Sequence, residues 1–358
     1  MARSRSAVNR GVAAMTPSAD SKPVVSVRDL RVRFITREGP IHAVNGVIFD
    51  LVSGEVLGIL GESGSGKSVT LRALMGLLSE SRARVEGEIR VAGRDVGRLT
   101  ETEIAALRGR TIAMIFQEPM LTLDPIYTIG EQIEETIVRH DGVSRQAARA
   151  RALELLEMVQ IPGGARRLEA YPHEMSGGMR QRAMIAIALS CRPAVLLADE
   201  PTTSLDLTVQ IQVLLLLRKL QRELGMAVIF VTHDVGVCVE IADRLAVMYA
   251  GRFVETGRMD AIISAPRHPY TQGLLASTVH GSFRDHRLEA IPGMPPTLSE
   301  LIPGCAFAPR CRHAEDRCVA ADPPEHRFAP DHAACCVRAS DGSLPAVLPN
   351  RPSIIQTG

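Results

Sequence analysis

Gly61-Glu62-Ser63-Gly64-Ser65-Gly66-Lys67-Ser68 fits the pattern G-x-x-x-x-G-K-S/T over its whole length. Residues of these types at this spacing suit one kind of chemistry. Glycines let a backbone curl tightly around an anion, where a Cβ would block the approach. The N–H groups of such a loop, reinforced by the positive end of a following helix, face phosphate oxygens. Lys67 supplies a compact charge for the β- and γ-phosphates, and the Ser68 hydroxyl is placed for Mg²⁺. The expected ligand is a magnesium-bound nucleoside triphosphate. A second group follows far down the chain, where the apolar run Ala194–Ala198 ends in Asp199-Glu200. Two carboxylates at the end of a buried strand are costly unless they hold a cation. Asp199 is expected to bind Mg²⁺, directly or through water, and Glu200 to polarise an attacking water. Ser176-Gly177-Gly178 opens a helical stretch with an apt N-cap and two exposed N–H groups, a second anion site distant in sequence from the first.

These groups need a scaffold that presents them together. Val24–Ile35 and Val44–Leu51 read as strands. Glu55–Gly61 is a short apolar run, and a helix-like segment follows from about Gly66 to Leu78, giving strand, glycine-rich loop and helix in order. Glu86–Val91, Thr111–Phe116, Ala194–Ala198 and Ala227–Thr232 read as further strands, with helical patterns at Met179–Leu189 and Leu207–Leu224. Residues 128–172 carry helical spacing, as in Ile133 and Ile137 or Ala152, Leu155, Leu156 and Val159, and read as an inserted helical subdomain of about 118–176. Alternating β and α segments predict an α/β fold with a largely parallel, buried sheet and helices on both faces. After about residue 265 periodicity fades while Pro, His and Cys rise. The division that follows is a disordered lead over 1–23, a nucleotide-binding domain over 24–264, a small, loop-rich, cysteine-containing module over 265–340 and a flexible tail over 341–358.

Composition excludes several classes. Lys+Arg 41 against Asp+Glu 40, with 3% aromatic residues and no Trp, gives neither the field nor the stacking surface for a nucleic-acid partner. No apolar run approaches the ~20 residues of a membrane span, so if the protein acts at a membrane, other chains must supply the spans. Residues 1–23 lack the apolar core of a secretory signal, and Met15 is an alternative start. A reducing compartment is expected, in which disulfides do not persist. Cys191 and Cys238 lie singly among apolar residues and read as packing groups, whereas Cys305, Cys311, Cys318, Cys335 and Cys336 crowd the end of the chain.

Three further stretches join the phosphate loop, the carboxylate pair and Ser176-Gly177-Gly178. They are Ile115-Phe116-Gln117-Glu118-Pro119, Ser204-Leu205-Asp206 and Phe230-Val231-Thr232-His233-Asp234. Together these resemble the ATP-binding cassette ATPases of membrane transporters, over about residues 24–260 and in family order. The resemblance implies a P-loop NTPase-type fold with an added N-terminal antiparallel β subdomain. It implies two subunits that sandwich two ATP molecules, with Ser176-Gly177-Gly178 of one closing over the phosphate loop of the other. Carried over by position, Gln117 senses the γ-phosphate and Mg²⁺, Asp199 supports the metal and Glu200 is the general base. Asp206 links the two sites and His233 contacts the γ-phosphate. Family members stack adenine on an aromatic residue near the first strand; Phe34 is the candidate, close to Thr36 at the aligned position.

His268-Pro269-Tyr270-Thr271-Gln272, Ile291-Pro292-Gly293 and Gly304-Cys305-Ala306-Phe307-Ala308-Pro309-Arg310-Cys311 resemble the C-terminal extension of oligopeptide/dipeptide importer ATPases. So do Gln117-Glu118-Pro119-Met120 and Leu123-Asp124-Pro125. That resemblance implies ATP-driven uptake of di- or oligopeptides, with nickel or another small solute as the alternative cargo and a soluble non-transport ATPase as the alternative role. It implies as partners two permease subunits, a second and distinct ATPase subunit and, indirectly, an external solute-binding protein, with this chain on the cytoplasmic face of the cell membrane. Permease helices are expected to dock near Gln117–Gly130. The cysteines run C-x5-C-x6-C and then x16 to Cys335 or x17 to Cys336, with no C-x-x-C pair. Several members of the subfamily bind a 4Fe–4S cluster through four such thiolates, which implies Cys305, Cys311, Cys318 and either Cys335 or Cys336 as ligands. Zinc held by cysteine with His313 or His332, and packed cysteines without metal, are the rival readings.

Overall fold

The computed structural model describes residues 22–118, 122–203, 205–277 and 290–344. Nearly all of the lead expected over 1–23, Met15 included, lies outside these residues, as do Pro119, Met120, Ser204 and the tail beyond 344.

Two sheets organise the chain. The first is antiparallel. β1 (Val25–Thr36) pairs with β2 (Gly39–Leu51), and its alternation buries Val25, Val27, Leu30 and Val32 beneath an outer face of charged residues. The chain leaves for β3 (Val56–Leu60) and returns as β4 (Ala83–Val91) and β5 (Arg94–Asp95), completing the order β2-β1-β4-β5.

The second sheet holds β6 (Ile112–Ile115), β7 (Val195–Asp199), β8 (Ala227–Thr232), β9 (Arg244–Tyr249), β10 (Arg252–Arg258), β11 (His326–Ala329) and β12 (His332–Ala334). With β3 it forms eight strands in the order β11-β12-β10-β9-β3-β8-β7-β6. The run β9-β3-β8-β7-β6 is parallel. Every residue of β3, β6, β7 and β8 is buried, and apart from the terminal Asp199 and Thr232 they are apolar runs or glycine, as strands covered on both faces require.

Helices supply the cover. On one face lie α1 (Lys67–Leu74), and above it the antiparallel sheet, so that Leu71 and Leu74 share a core with Leu57, Ile59, Leu197 and Ile229 and with Val27, Val44 and Phe49. α2 (Glu101–Leu107) starts on a capping box of Thr100 and Glu103 and precedes β6. The inserted region forms α3 (Ile129–Asp141), α4 (Arg145–Met158) and α5 (Gly164–Leu168), with α6 (Gly177–Leu189) just after it. Its apolar stripe, including Ile133, Ile137, Ala152 and Leu155, joins Leu196, Ala198, Val228 and Phe230 on the opposite sheet face, together with Val213 and Leu217 of α7 (Leu207–Leu224). α8 (Val235–Ile241) follows β8.

The C-terminal region is more ordered than its composition predicts. It forms α9 (Met259–Ser264), α10 (Pro269–Ala276), α11 (Asp316–Ala320), α12 (Val337–Ser340) and the hairpin β11–β12. β12 pairs with β10, so the main sheet runs on across the boundary expected at residue 264 and ends in antiparallel strands. Tyr249, Tyr270 and Phe307 stack at the centre of this region, with ring centroids 4.6–5.3 Å apart.

Candidate nucleotide site

Register fixes the site before any side chain is considered. Leu60 lies beside Thr232, Asp199 beside Val231, and Ile115 beside Ala198. The next residues of four adjacent parallel strands, Gly61, His233, Glu200 and the nearby Gln117, therefore leave the sheet along one carboxyl edge, where open α/β sheets bind ligands.

The loop after β3 requires its glycines. A Cβ on Gly61 would meet the Met248 carbonyl oxygen at 2.3 Å. One on Gly66, whose φ is +106°, would meet the Ala43 carbonyl oxygen at 2.4 Å. Gly66 is the N-cap of α1, with no side chain covering its first N–H groups. Ser65 Oγ is buried without a hydrogen-bond partner. The loop thus offers unpaired donors to an anion. Lys67 points back into it: its Nζ donates to the Gly61 and Glu62 carbonyls at 2.8 and 2.9 Å and stands 3.9 Å from Glu200 Oε1. The side chain is only 4% exposed, and burial lowers its pKa against the pull of the Glu200 and Asp199 charges.

Ser68 Oγ donates to Asp199 Oδ1 at 2.7 Å. Burial raises the Asp199 pKa, opposed by that hydrogen bond. A carboxylate disfavoured by its surroundings and already touching a serine hydroxyl is a fit place for a hard cation with oxygen ligands. Glu200 has φ +45°, a left-handed conformation that a glutamate rarely adopts, while its N–H donates to Val231 across the sheet. This turn swings the carboxylate into the site. There Oε2 accepts from Thr203 Oγ1 at 3.1 Å and Gln117 Nε2 at 3.5 Å, and lies 3.2 Å from His233 Nδ1. Sequence patterning does not single out Thr203; its signal there is a hydroxyl three residues past the acid.

Ser176, Gly177, Gly178 and Asp206 are placed elsewhere. Ser176 caps α6 by accepting from the Met179 N–H, and Asp206 caps α7 by accepting from Val209. The two helix starts interlock: a Cβ on Gly178 would meet Val209 Cγ1 at 2.6 Å. Phe34 is half-buried and packs against the core shared by the antiparallel sheet and α1.

Among the cysteines, Cys305, Cys311, Cys318 and Cys336 line one cavity with His268 and Phe307. Cys335 does not line it; its N–H donates to the Val254 carbonyl in the β10 edge. Burial pushes the Cys305 thiol up to about 11 and raises Cys311 and Cys336 as well. His268 Nδ1 accepts from the Tyr270 N–H, which leaves Nε2 buried without a partner. Among the described residues, no group of three or more His, Cys, Asp or Glu side chains is drawn together closely enough to hold a metal ion.

Comparison with known proteins agrees with this geometry. Residues 44–203 match the ABC transporter family, and residues 254–318 match the oligopeptide/dipeptide transporter C-terminal region. A Brucella abortus protein described as a "putative peptide import ATP-binding protein" is 50% identical over 309 residues, covering 86% of this chain and 93% of the relative. A Brucella melitensis protein of the same description is 47% identical over 329 residues, covering 88% and 97%. A dimeric, post-hydrolysis structure of the ATP-binding cassette MJ0796 with ADP and Pi superposes with TM-score 0.59 at 31% identity, over 66% of this chain and 98% of that one. CbiO1 from Clostridium perfringens, part of the ABC transporter complex cbiONQ, superposes with TM-score 0.58 at 27% identity, over 67% and 90%. A phosphate loop, an acid pair and their hydrogen-bonded partners on one sheet edge, together with these matches along nearly the whole chain, make it a member of the ABC transporter ATPase family, in the branch that carries the oligopeptide/dipeptide transporter C-terminal region.

Proposed function

We propose that this subunit hydrolyses ATP to drive peptide import, with the roles divided among its residues as follows. The observation that carries the reading is the convergence of Lys67, Ser68, Asp199, Glu200, Gln117 and His233 on one sheet edge. The Gly61 loop binds the triphosphate, and Lys67 leaves its carbonyl partners to meet the β- and γ-oxygens. Ser68 and Asp199 would hold magnesium, which would supply charge neutralisation for the transferring group. Water attacks the γ-phosphorus as the bond to the bridging oxygen breaks; its proton passes to Glu200, and ADP leaves with that oxygen. Thr203, Gln117 and His233 hold the Glu200 carboxylate in place. Little covalent help is needed for such a transfer; positioning and charge stabilisation carry most of it. Ser176, Gly177 and Gly178 complete the partner subunit's site, with Asp206 at the joint between the two. The ADP-bound dimer of MJ0796 is the supporting parallel.

No described helix is long and apolar enough to cross a membrane; the proposed transport runs through permease chains docked at the inner face against the region of Gln117–Gly130. Phe34 is the proposed adenine contact. The test is reconstitution with the permease pair and a second ATPase subunit. ATP-dependent uptake of a labelled di- or oligopeptide is expected, abolished by non-hydrolysable ATP; ATPase activity that never accompanies peptide uptake would overturn the import role.

The cavity of Cys305, Cys311, Cys318 and Cys336 is proposed to hold a 4Fe–4S cluster. Such a cluster takes four thiolate ligands, and Cys305, Cys311, Cys318 and Cys336 are four cysteines that line this one cavity. Its thiolate ligation would stabilise charge at sulfurs that burial otherwise keeps protonated, and Cys336 rather than Cys335 is the fourth ligand. Anaerobic purification is expected to give a brown protein with about four irons per chain. Cys336→Ser should lose the iron and Cys335→Ser should keep it. A colourless, zinc-loaded preparation would overturn the cluster.

A further inference from the structure

The phosphate loop is gripped from outside the cassette. Arg310 meets the Glu62 carboxylate with both terminal nitrogens, at 2.6 and 3.0 Å. The Tyr270 hydroxyl accepts from the Glu62 N–H at 2.9 Å. Arg310 is itself fixed: its Nε donates to the Pro292 carbonyl at 2.8 Å, Nη1 also reaches the Tyr249 hydroxyl at 3.3 Å, and the guanidinium lies 5.8 and 5.9 Å from the Tyr249 and Phe307 ring centroids. The arginine side chain is 5% exposed and the glutamate 27%. A bidentate arginine–carboxylate pair sets orientation as well as distance, and in so buried a place it tolerates little displacement.

Both ends of this pair lead to a site. On the cassette side, the Gly61 and Glu62 carbonyls hold Lys67 Nζ, so a shift of Glu62 moves the charge that meets the phosphates. On the other side, Arg310 closes the turn Ala308–Arg310 and is bonded directly to Cys311. Backbone hydrogen bonds from Ala308 to Cys305, Arg310 to Phe307 and Cys311 to Ala308 make that turn one unit.

We propose that Arg310 is a positioning residue for the phosphate loop, and that through it, with Tyr270, the nucleotide site and the cysteine-bearing turn at 305–311 are energetically coupled. Coupling is reciprocal: whatever ATP does to the turn, the state of the turn does to ATP affinity. This rests on ATP binding by the Gly61 loop and not on what fills the cysteine cavity.

The test uses the full-length chain, with ATP affinity from calorimetry and backbone hydrogen exchange with and without ATP. Arg310→Met is expected to weaken ATP binding on the order of tenfold. Arg310→Lys, which can reach one carboxylate oxygen, should recover part of that, and the double variant Arg310→Met/Glu62→Gln should bind no more weakly than Arg310→Met. In the wild type, ATP should slow exchange at Ala308, Arg310 and Cys311; in Arg310→Met it should not. Unchanged affinity in Arg310→Met, or wild-type exchange at the turn that ignores ATP, overturns the proposal. Should Arg310→Met fail to fold, Glu62→Gln removes the same pair from the loop side and must show the same two effects. A wild-type chain that binds no ATP would instead overturn the phosphate-loop assignment.

Discussion

Glu200→Gln is expected to stop turnover while leaving ATP bound. The substitution keeps the size and planarity of the side chain, and its backbone already sits in the left-handed turn at φ +45°, so the amide occupies the place of the carboxylate. The contacts to Thr203 and Gln117 can be remade by an amide in one orientation or the other. What an amide cannot do is take the proton of the attacking water. General-base catalysis contributes roughly 10²–10⁴-fold, and that is the expected fall in hydrolysis rate. Binding should change little, because Lys67 still donates to the loop and Ser68 and Asp199 are untouched. The loss of a negative charge 3.9 Å from Lys67 should favour a bound triphosphate slightly. The expected product is an ATP-loaded, closed pair of cassettes, read as a stable dimer by light scattering with unhydrolysed nucleotide recovered on denaturation. Turnover at the wild-type rate would remove Glu200 from the base role.

The contrast between what sequence reveals and what it hides follows from the kind of interaction involved. The phosphate loop, the acid pair and the strands beneath them are legible because their chemistry is local. Glycines at fixed spacing, a lysine and an unbroken apolar run each constrain a few adjacent residues. Gly61 and Gly66 are needed for a tertiary reason too, the approach of the Met248 and Ala43 carbonyls, but the local requirement already marks them. The hairpins are less legible. Ala92-Gly93 and Ala250-Gly251 form two-residue turns with positive φ at both positions, and alanine is a poor advertisement for such a turn beside asparagine or aspartate. Hence β9 and β10 are not apparent, and without them the C-terminal hairpin has no sheet to join. Arg310 is hidden for a different reason. Its partner Glu62 is 248 residues away in sequence, and nothing local says which acid an isolated arginine will meet.

That long-range contact changes what the C-terminal region does. Read from composition, it is an appendage with cysteines. In the fold, β12 extends the sheet that carries the candidate nucleotide site, and Tyr270 and Arg310 reach Glu62 in the Gly61–Ser68 loop. A region attached only by a linker could lose its packing without consequence for the cassette; one that shares a sheet and an ion pair with the phosphate loop cannot.

Lys67→Ala should lose nucleotide rather than turnover alone. Lys67 is a buried cation that faces both Asp199 and Glu200, while the Arg72 charge also acts on Asp199. Its removal leaves two carboxylates to meet a triphosphate, with no ammonium to bridge them. Truncating one partner of a buried, hydrogen-bonded charge pair costs about 2–5 kcal/mol, which corresponds to roughly thirty-fold to several thousand-fold in affinity. The Asp199 pKa, already raised by burial, should climb further once the lysine charge is gone, and magnesium affinity should fall with it. Lys67→Arg separates charge from shape. The ammonium sits between two carbonyls with 4% exposure, a space that suits a compact donor and not a planar guanidinium. Arginine should therefore restore little binding despite keeping the charge. Calorimetric titration of both variants with Mg-ATP tests the argument: wild-type affinity in Lys67→Ala would remove the Gly61 loop from phosphate binding, and full rescue by arginine would show that charge alone, without the fitted geometry, holds the nucleotide.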